Sequence, residues 1–377
     1  MSQDAGWSIR CPGCGASLGA LPNGSPTACG ATSATSPSMS LAAAPTPALR
    51  CADCGAVWPE RDGIWRLMAS EDAARTALFV AEYTTVRRAE GRSEMSAAQR
   101  LALPYALATT PLAWQWGIRA ASYLALCGGG GDRHRDRRGD RGGGGGGGGS
   151  SSGGAAGAGL AGIPPGRIVD VGAGGGWLSW RLAVGGWSAL AVDISDDAGD
   201  GLGAATPYSV DLAARGMAGR LVRAIAHFDR LPLLDGAADA VVFNASLHYA
   251  VDPAATLAEA ARVVRAGGLV CVVDSPIYRQ RASGERMVAE RTARFAARFG
   301  FPSTAQGSRE FLVDGELEAI GASIGLRFHH IRPWAGLAWA LRPAAARLRG
   351  RREPARFRVS IGVRVGGMDG AAGDGAG

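Results

Sequence analysis

Ile168-Val-Asp-Val-Gly-Ala-Gly-Gly-Gly-Trp177 decides how this chain is read. A short run of buried-strand character passes straight into a glycine-rich turn, and a helical pattern follows. Glycine has no Cβ, so the backbone there adopts positive φ and a ligand comes close. The helix behind the turn offers unpaired N–H groups at its start. This is the layout of a nucleotide cradle. Gly172, Ala173, Gly174 and Gly176 give the order G-x-G-x-G, with Trp177 where the third glycine of the dinucleotide fingerprint would fall. The next apolar run, Ala189-Leu-Ala-Val-Asp193, ends in a carboxylate placed to accept from both ribose hydroxyls. That acid does not separate the ligands by itself, because NAD enzymes also place one there.

The segments downstream narrow the choice. Asp239-Ala-Val-Val-Phe-Asn-Ala-Ser-Leu-His-Tyr249 reads as a buried strand opening into a loop. Thr256 to Val264 is helix-like, with Leu257, Ala260, Ala261 and Val264 on one face, and Arg265-Ala-Gly-Gly268 is expected to stop it. Leu269-Val-Cys-Val-Val-Asp274 reads as the next strand, and Ala355 to Val365 alternates like a final one.

Taken in order, V-D-V-G-A-G-G-G, A-V-D-I-S, D-R-L-P-L-L-D-G-A-A-D-A-V-V-F-N-A-S-L-H-Y and E-A-A-R-V-V-R-A-G-G-L-V resemble the class I S-adenosylmethionine-dependent methyltransferases of the small-molecule, quinone-biosynthesis type. The resemblance covers roughly residues 161 to 275. It implies an α/β fold with a doubly wound, seven-stranded, mostly parallel Rossmann-like sheet, whose last strand is antiparallel and inserted beside the fifth. It also implies S-adenosylmethionine as cofactor. By the same resemblance, Gly172, Ala173, Gly174 and Gly176 approach the methionine end. Asp170 lies near the cofactor amino group, Asp193 holds the ribose, and Ile194 lies against adenine. Phe228 and Asp229 face the adenine edge, and Asn244 closes the cofactor site at the end of its strand. Relatives often carry an acid where His227 stands, so Asp229 or the backbone takes that part here. His248 is the candidate general base, because an imidazole titrates near neutrality, and Tyr249 shapes the acceptor pocket. Asp274 and Tyr278 fall on the acceptor side by the rule that ligands bind outside the carboxyl ends of the strands. Tyr83 and Arg87 to Gly91 read either as a lid or as an ordinary helix surface.

A second signal lies near the start of the chain. Cys11-Pro-Gly-Cys14-Gly and Cys51-Ala-Asp-Cys54-Gly are two knuckles with the spacing of a structural zinc site, so Cys11, Cys14, Cys51 and Cys54 are candidate ligands for one Zn2+. A redox or disulfide pair is the other reading of the same spacing. Trp58 to Trp65 resembles the ending of zinc ribbons that are fused to, or partnered with, methyltransferases. Cys29 falls in the intervening loop as a bystander.

Composition bounds the rest. The chain has 377 residues, 47% of them hydrophobic, enough for one full α/β domain and an accessory one. All 40 basic residues are arginine, a bias that makes the net charge of +7 weak evidence about partners. The expected organisation is a zinc-ribbon-like domain over 1–68 with an inserted loop at 22–47, then a helical segment over 69–127. A glycine-rich linker follows at 128–160, the methyltransferase domain at 161–366 and a tail at 367–377. In the helical segment Ala73, Ala77, Val80 and Ala81 share one face, as do Trp116, Ala120, Tyr123 and Leu124. Residues 101–118 carry no charge, but Pro104, Thr109, Thr110, Pro111 and Gln115 interrupt them, so a buried or substrate-covering helical pair is expected in place of a membrane span. From Trp334 to Arg352 a stripe of Trp334, Leu337, Leu341 and Leu348 is expected to pack on the sheet, with peripheral membrane contact as the alternative. No secretory h-region is evident, which places the chain in the cytoplasm as an expectation.

Three functions fit this pattern: methyl transfer to a small-molecule or lipid-like acceptor, methylation of guanine in ribosomal RNA with the ribbon gripping RNA, and a non-catalytic interaction protein. The dispersed arginines of the ribbon (Arg10, Arg50, Arg61, Arg66) speak against nucleic acid as the partner. A nicotinamide-dependent oxidoreductase ranks behind all three. Sequence carries no sign of the oligomeric state.

Overall fold

The computed structural model describes residues 6–21, 47–105, 113–128 and 159–366. The inserted loop, the glycine-rich linker, the tail and Cys29 lie outside them, apart from a few flanking residues. In chain order the strands are β1 (Trp7–Arg10), β2 (Ser17–Leu21), β3 (Ala48–Arg50), β4 (Val57–Arg61), β5 (Ile64–Arg66), β6 (Arg167–Val171), β7 (Ser188–Asp193) and β8 (Leu221–Ile225). They continue with β9 (Ala238–Asn244), β10 (Val264–Val273), β11 (Ile277–Tyr278), β12 (Leu312–Val313), β13 (Leu326–Ile331) and β14 (Val359–Arg364). The helices are α1 (Ser70–Ala89), α2 (Ala97–Ala102), α3 (Ala113–Leu126), α4 (Trp177–Val184), α5 (Thr206–Ala214), α6 (Pro253–Val263), α7 (Arg281–Phe299), α8 (Glu316–Ser323), α9 (Leu337–Ala340) and α10 (Arg342–Leu348). Two compact units result: Met1–Leu101 with Gly166–Ala237, and Ala102–Pro165 with Ala238–Gly377.

In the first unit β6, β7 and β8 pair in parallel, with Val169 opposite Leu190 and Leu190 opposite Val222. Their near-continuous burial is what a parallel strand covered on both faces requires. The helix after the glycine turn, α4, buries most of its length, and its Trp180 stacks on Tyr208 of α5 with ring centroids 5.1 Å apart. Strand β8 is not among those singled out in the sequence, and the sheet does not stop there. Instead β5 of the cysteine-bearing segment pairs in parallel with β8, Trp65 opposite Ala224, and β4 and β3 extend it further. The reason is local. Asp62 and Gly63 both take positive φ, at 55° and 71°, which closes a tight β4–β5 hairpin. Arg223 of β8, buried, then donates to the Asp62 carbonyl at 3.0 Å. Ile9 bridges Leu233, and Arg10 N–H donates to the Pro232 carbonyl at 3.2 Å, so the cysteine-bearing segment is stitched into this unit.

The helical expectation for the segment before the linker is met by α1, α2 and α3, but the inward face of α1 is different. Asp72, Thr76, Phe79 and Val86 are buried there, while Ala77 and Ala81 are exposed and Ala73 and Val80 only half-buried. Alanine is too small to decide a face; Phe79 and the internally bonded Thr76 and Asp72 decide it. On α3 Trp116 is buried as expected, joined by Ser122, Ala125 and Leu126, while Ala120, Tyr123 and Leu124 are half-buried. Among the described residues no helix is long and apolar enough to cross a membrane.

In the second unit β9 and β10 are parallel, and β14 lies antiparallel between β10 and β13. The final strand is therefore placed as expected. Helix α6 begins at Pro253, earlier than its apolar periodicity suggests, because Asp252 caps it by accepting from Ala254 and Ala255 N–H at 2.8 and 3.2 Å. Arg265 to Gly268 form no separate stop. The chain enters β10 directly at Val264 and bulges before Leu269, and a Cβ on Gly268 would come within 2.6 Å of the Asp239 carbonyl. The stripe from Trp334 to Leu348 does not pack on the sheet: α9 and α10 bury no residue, and all four of its apolar side chains are exposed.

Candidate functional site

The glycine turn of the first unit is built by backbone. Gly172, Gly174 and Gly176 have φ of 72°, 52° and 78°, a run that side chains would strain. Gly172 and Ala173 N–H both donate to the Val192 carbonyl, at 2.8 and 3.0 Å, which anchors the turn to β7. Gly176, the N-cap of α4, has no side chain with which to cap the helix. Asp193, half-buried at the end of β7, accepts from Gly174 N–H at 2.8 Å through one oxygen and from Ser195 N–H at 3.0 Å through the other. It clasps the turn as well as facing a ligand, and each oxygen keeps a lone pair. Burial pushes its pKa up to about 6 against the pull of those amides.

Asp170 lies deeper, 1% exposed. One of its oxygens accepts from Ser179 Oγ at 2.7 Å; the other is buried with no hydrogen-bond partner. Burial raises its pKa to about 7. An orphaned carboxylate oxygen beside a glycine turn is an acceptor waiting for an N–H donor. Ile194 is half-buried. Phe228 is buried, with its ring 4.7 Å from that of His227. His227 is almost wholly buried, and burial holds its pKa below the usual histidine value. Asp229 N–H donates to His227 Nδ1 at 3.3 Å, and the half-buried Asp229 carboxylate lies 3.7 Å from the same nitrogen.

Two supports of this turn are not legible from residue type. Arg100 of α2 is buried, donates to the Gly199 carbonyl at 2.7 Å, and lies 3.4 Å from where a Cβ on Gly175 would stand. Its only signal was a lone charge at the edge of an uncharged stretch. The loop after Asp193 is further held by Arg66 on Asp196 (2.6 Å), Arg88 on Asp197 (2.8 Å) and Arg87 on Asp200 (3.4 Å). Tyr83, whose hydroxyl accepts from Arg87, and the Arg87–Gly91 segment therefore brace the cofactor-side loop of this unit.

The second unit carries the candidate chemistry at the carboxyl ends of β9 and β10. Asn244 is half-buried, and the chain turns at Ala245 with φ of 56°. His248 Nδ1 lies 3.4 Å from Ser275 Oγ, and its ring is 4.3 Å from that of Tyr249. Asp274, buried, also holds a positive φ of 53°. It accepts from Ser122 Oγ at 2.6 Å through one oxygen, while the other has no partner, and burial raises its pKa. Two non-glycine residues in left-handed backbone cost about 1–3 kcal/mol each, and such strain collects at functional sites. Tyr278 departs from the expectation: it lies buried in β11, edge-on to Phe311, with its hydroxyl accepting from Arg352 at 3.3 Å. It supports the fold there.

The two cysteine knuckles converge. All four sulfurs lie within 4.8 Å of one another, with Cys11 to Cys54 at 3.7 Å and Cys14 to Cys51 at 3.6 Å, and none is in a disulfide. A tetrahedron with metal–sulfur bonds of about 2.3 Å spaces its sulfurs by roughly 3.8 Å, whereas a disulfide needs about 2.05 Å. The knuckles share one geometry, Gly15 N–H donating to the Cys11 carbonyl at 2.9 Å and Gly55 N–H to the Cys51 carbonyl at 3.0 Å.

Comparison with known proteins follows the same outline. Residues 169–272 match a family model described as a methyltransferase domain. Uncharacterized methyltransferases of Mycobacterium tuberculosis (Rv3342) and Mycobacterium bovis (Mb3374) are each 36% identical over 107 residues, 28% of this chain. The chain spans 39% of the length of those relatives. Among solved structures it is similar to geranyl diphosphate C-methyltransferase from Streptomyces coelicolor (TM-score 0.39, 16% identity, 53% of this chain and 73% of that one). It is also similar to the YcgJ protein of Bacillus subtilis (TM-score 0.36, 17% identity, 53% of this chain and 92% of that one). Glycine turn, Asp170, Asp193, Asn244 and His248 all fall inside the matched methyltransferase-domain segment.

Proposed function

We propose that this chain is an S-adenosylmethionine-dependent methyltransferase acting on a small-molecule or lipid-like acceptor, with a structural Zn2+ held by Cys11, Cys14, Cys51 and Cys54. The observation that carries it is the orphaned, buried oxygen of Asp170 beside a turn of three left-handed glycines. That set suits a ligand carrying an amino group close to a backbone cradle. When bound, the cofactor supplies an electrophilic methyl group on a sulfonium. The residues of the chain bind and orient. Asp170 accepts from the amino group, Arg100 offers a guanidinium to the carboxylate of the methionine moiety, and Asp193 takes the ribose while keeping Gly174 in place. Ile194, Phe228 and Asp229 flank the adenine.

The leaving group of such a transfer is already good, so alignment of the acceptor does most of the work; positioning of this kind contributes roughly 7–11 kcal/mol in favourable cases. His248, with Ser275 on its Nδ1, is the group that removes a proton from an oxygen or nitrogen acceptor. Tyr249 and Asn244 shape the walls on either side of it.

Calorimetric titration of the zinc-replete protein with S-adenosylhomocysteine, with NAD as the control, tests the reading. Micromolar binding of the first and none of the second is expected. Binding of NAD alone, or of neither, would sink it.

A further inference from the structure

Residues 332–358 hold eight arginines and a single acid, Glu353. Helices α9 and α10 lie in this stretch and meet at Leu341, whose backbone is itself helical. Leu341 N–H donates to the Leu337 carbonyl at 2.9 Å, and Ala345 N–H donates to the Leu341 carbonyl at 3.0 Å, so the helical path runs through the joint. Leu337, Leu341 and Leu348 therefore share one stripe. Leu337 is 69%, Leu341 61% and Leu348 89% exposed, with Trp334 at 68% just ahead of them. Trp339 supports this face from beneath: Trp114 lies 6.4 Å from it, Phe357 5.8 Å, and the Arg342 guanidinium sits 3.3 Å over its ring.

Two concavities flank α10. One, of about 430 Å³, is lined by Trp334, Trp339 and Phe357 with Arg332, Arg342 and Arg358. The other, of about 280 Å³, is lined by Arg279, Arg286, Arg347, Arg351, Arg352 and Arg356. Arg352 pairs with Glu290, and Arg356 with Asp314 and Glu353. Among the described residues Arg279, Arg286, Arg347, Arg349 and Arg351 have no carboxylate at ion-pair distance. Guanidiniums gathered this closely repel one another unless an anion joins them.

We infer that this face docks on the surface of an anionic lipid bilayer, α9 and α10 lying in the interface with their leucines inward and their arginines on the headgroup phosphates. Charge complementarity selects the anion. The leucines select the bilayer over nucleic acid: they gain from hydrocarbon, and they offer nothing to a base, which stacks on aromatic rings. Arginine stems lie along apolar surface while their heads reach phosphate, which suits Arg347 and Arg349 on the flanks of the stripe. The inference goes beyond the proposed reaction and rests on none of its residues.

Sedimentation of the full chain with vesicles tests it, using phosphatidylcholine alone and phosphatidylcholine mixed with phosphatidylglycerol at roughly three to one. The chain should pellet with the anionic vesicles and stay in solution with the neutral ones. A variant with Trp334→Ala, Leu337→Ser, Leu341→Ser and Leu348→Ser, and another with Arg347→Gln, Arg349→Gln and Arg351→Gln, should each bind at least about tenfold more weakly. Every side chain changed is exposed, so both variants should melt with the wild type, which separates lost docking from lost folding. Failure of the wild type to pellet, or undiminished pelleting of either variant, overturns the inference. So does single-stranded RNA that displaces the vesicles and binds the leucine variant at full strength. No cofactor enters the assay, so this result and the titration with S-adenosylhomocysteine fail independently.

Discussion

Strands β3 to β5 of the cysteine-bearing segment share one sheet with the parallel strands of the first unit, but the two regions are held by different forces. Strands β6 and β7 carry Ile168, Val169, Val171, Leu190 and Val192, each at most 1% exposed, and are held by apolar packing. The cysteine-bearing segment has the buried anchors Trp7, Ile9, Leu21, Ile64, Trp65 and Leu67, and its two knuckles meet at their four sulfurs. A metal bridging those sulfurs would add to that packing, as it does in many small domains. The two regions should therefore answer differently to the same insult.

Chelation gives the largest contrast. Structural zinc contributes about 10–16 kcal/mol of apparent binding energy in small ribbons, so removing it, or making Cys54→Ser, should lose stoichiometric metal and disorder β3 to β5. Metal analysis after gel filtration, with hydrogen exchange read separately over β4–β5 and β6–β7, checks this; a metal-free wild type with an ordered ribbon would refute it. Next comes Asp193→Ala. It removes a charged acceptor from Gly174 and Ser195 N–H, each such bond contributing about 1.5–3 kcal/mol, so affinity for S-adenosylhomocysteine should fall at least tenfold while zinc stays bound. Unchanged affinity would deny Asp193 its role.

A pH profile ranks third. The Asp170 pKa is raised from its ordinary 3.8 to about 7, so the folded chain holds a proton there that the unfolded chain releases. The stabilisation is full below about pH 4 and is lost as pH rises through about 7, with a slope of at most about 1.4 kcal/mol per pH unit. Asp170→Asn, neutral throughout, should flatten that slope in urea titrations; an unaltered slope would place the proton elsewhere. The smallest effect is expected from Asp252→Ala in the second unit. Losing the α6 cap should cost about 1 kcal/mol, read as a lower urea midpoint with zinc and cofactor binding unchanged.

Where the sequence was legible, backbone chemistry was written into residue type. The three glycines of the turn, the runs of β6, β7, β9 and β10, the alternation of β14 and the paired knuckles each announce a conformation. What stayed hidden depended on partners distant in the chain. Nothing around Trp65 says that it lies opposite Ala224. Arg100 becomes part of the glycine turn only because α2 brings it to Gly199. The α6 start is legible in Asp252-Pro253, a cap followed by a first-turn proline, although the apolar periodicity begins only at Thr256. The outward stripe of α9 and α10 shares its periodicity with a buried one; the arginines around it were the available clue.

The pairing of β5 with β8 has a consequence for the life of the protein outside its reaction. An uncovered strand edge is a row of free N–H and C=O groups that recruits other chains. Here Trp65, Arg66 and Leu67 occupy the edge of β8 at Ala224 and Ile225. If the cysteine cluster orders that hairpin, metal supply also guards against self-association, and starvation for it would show first as aggregation.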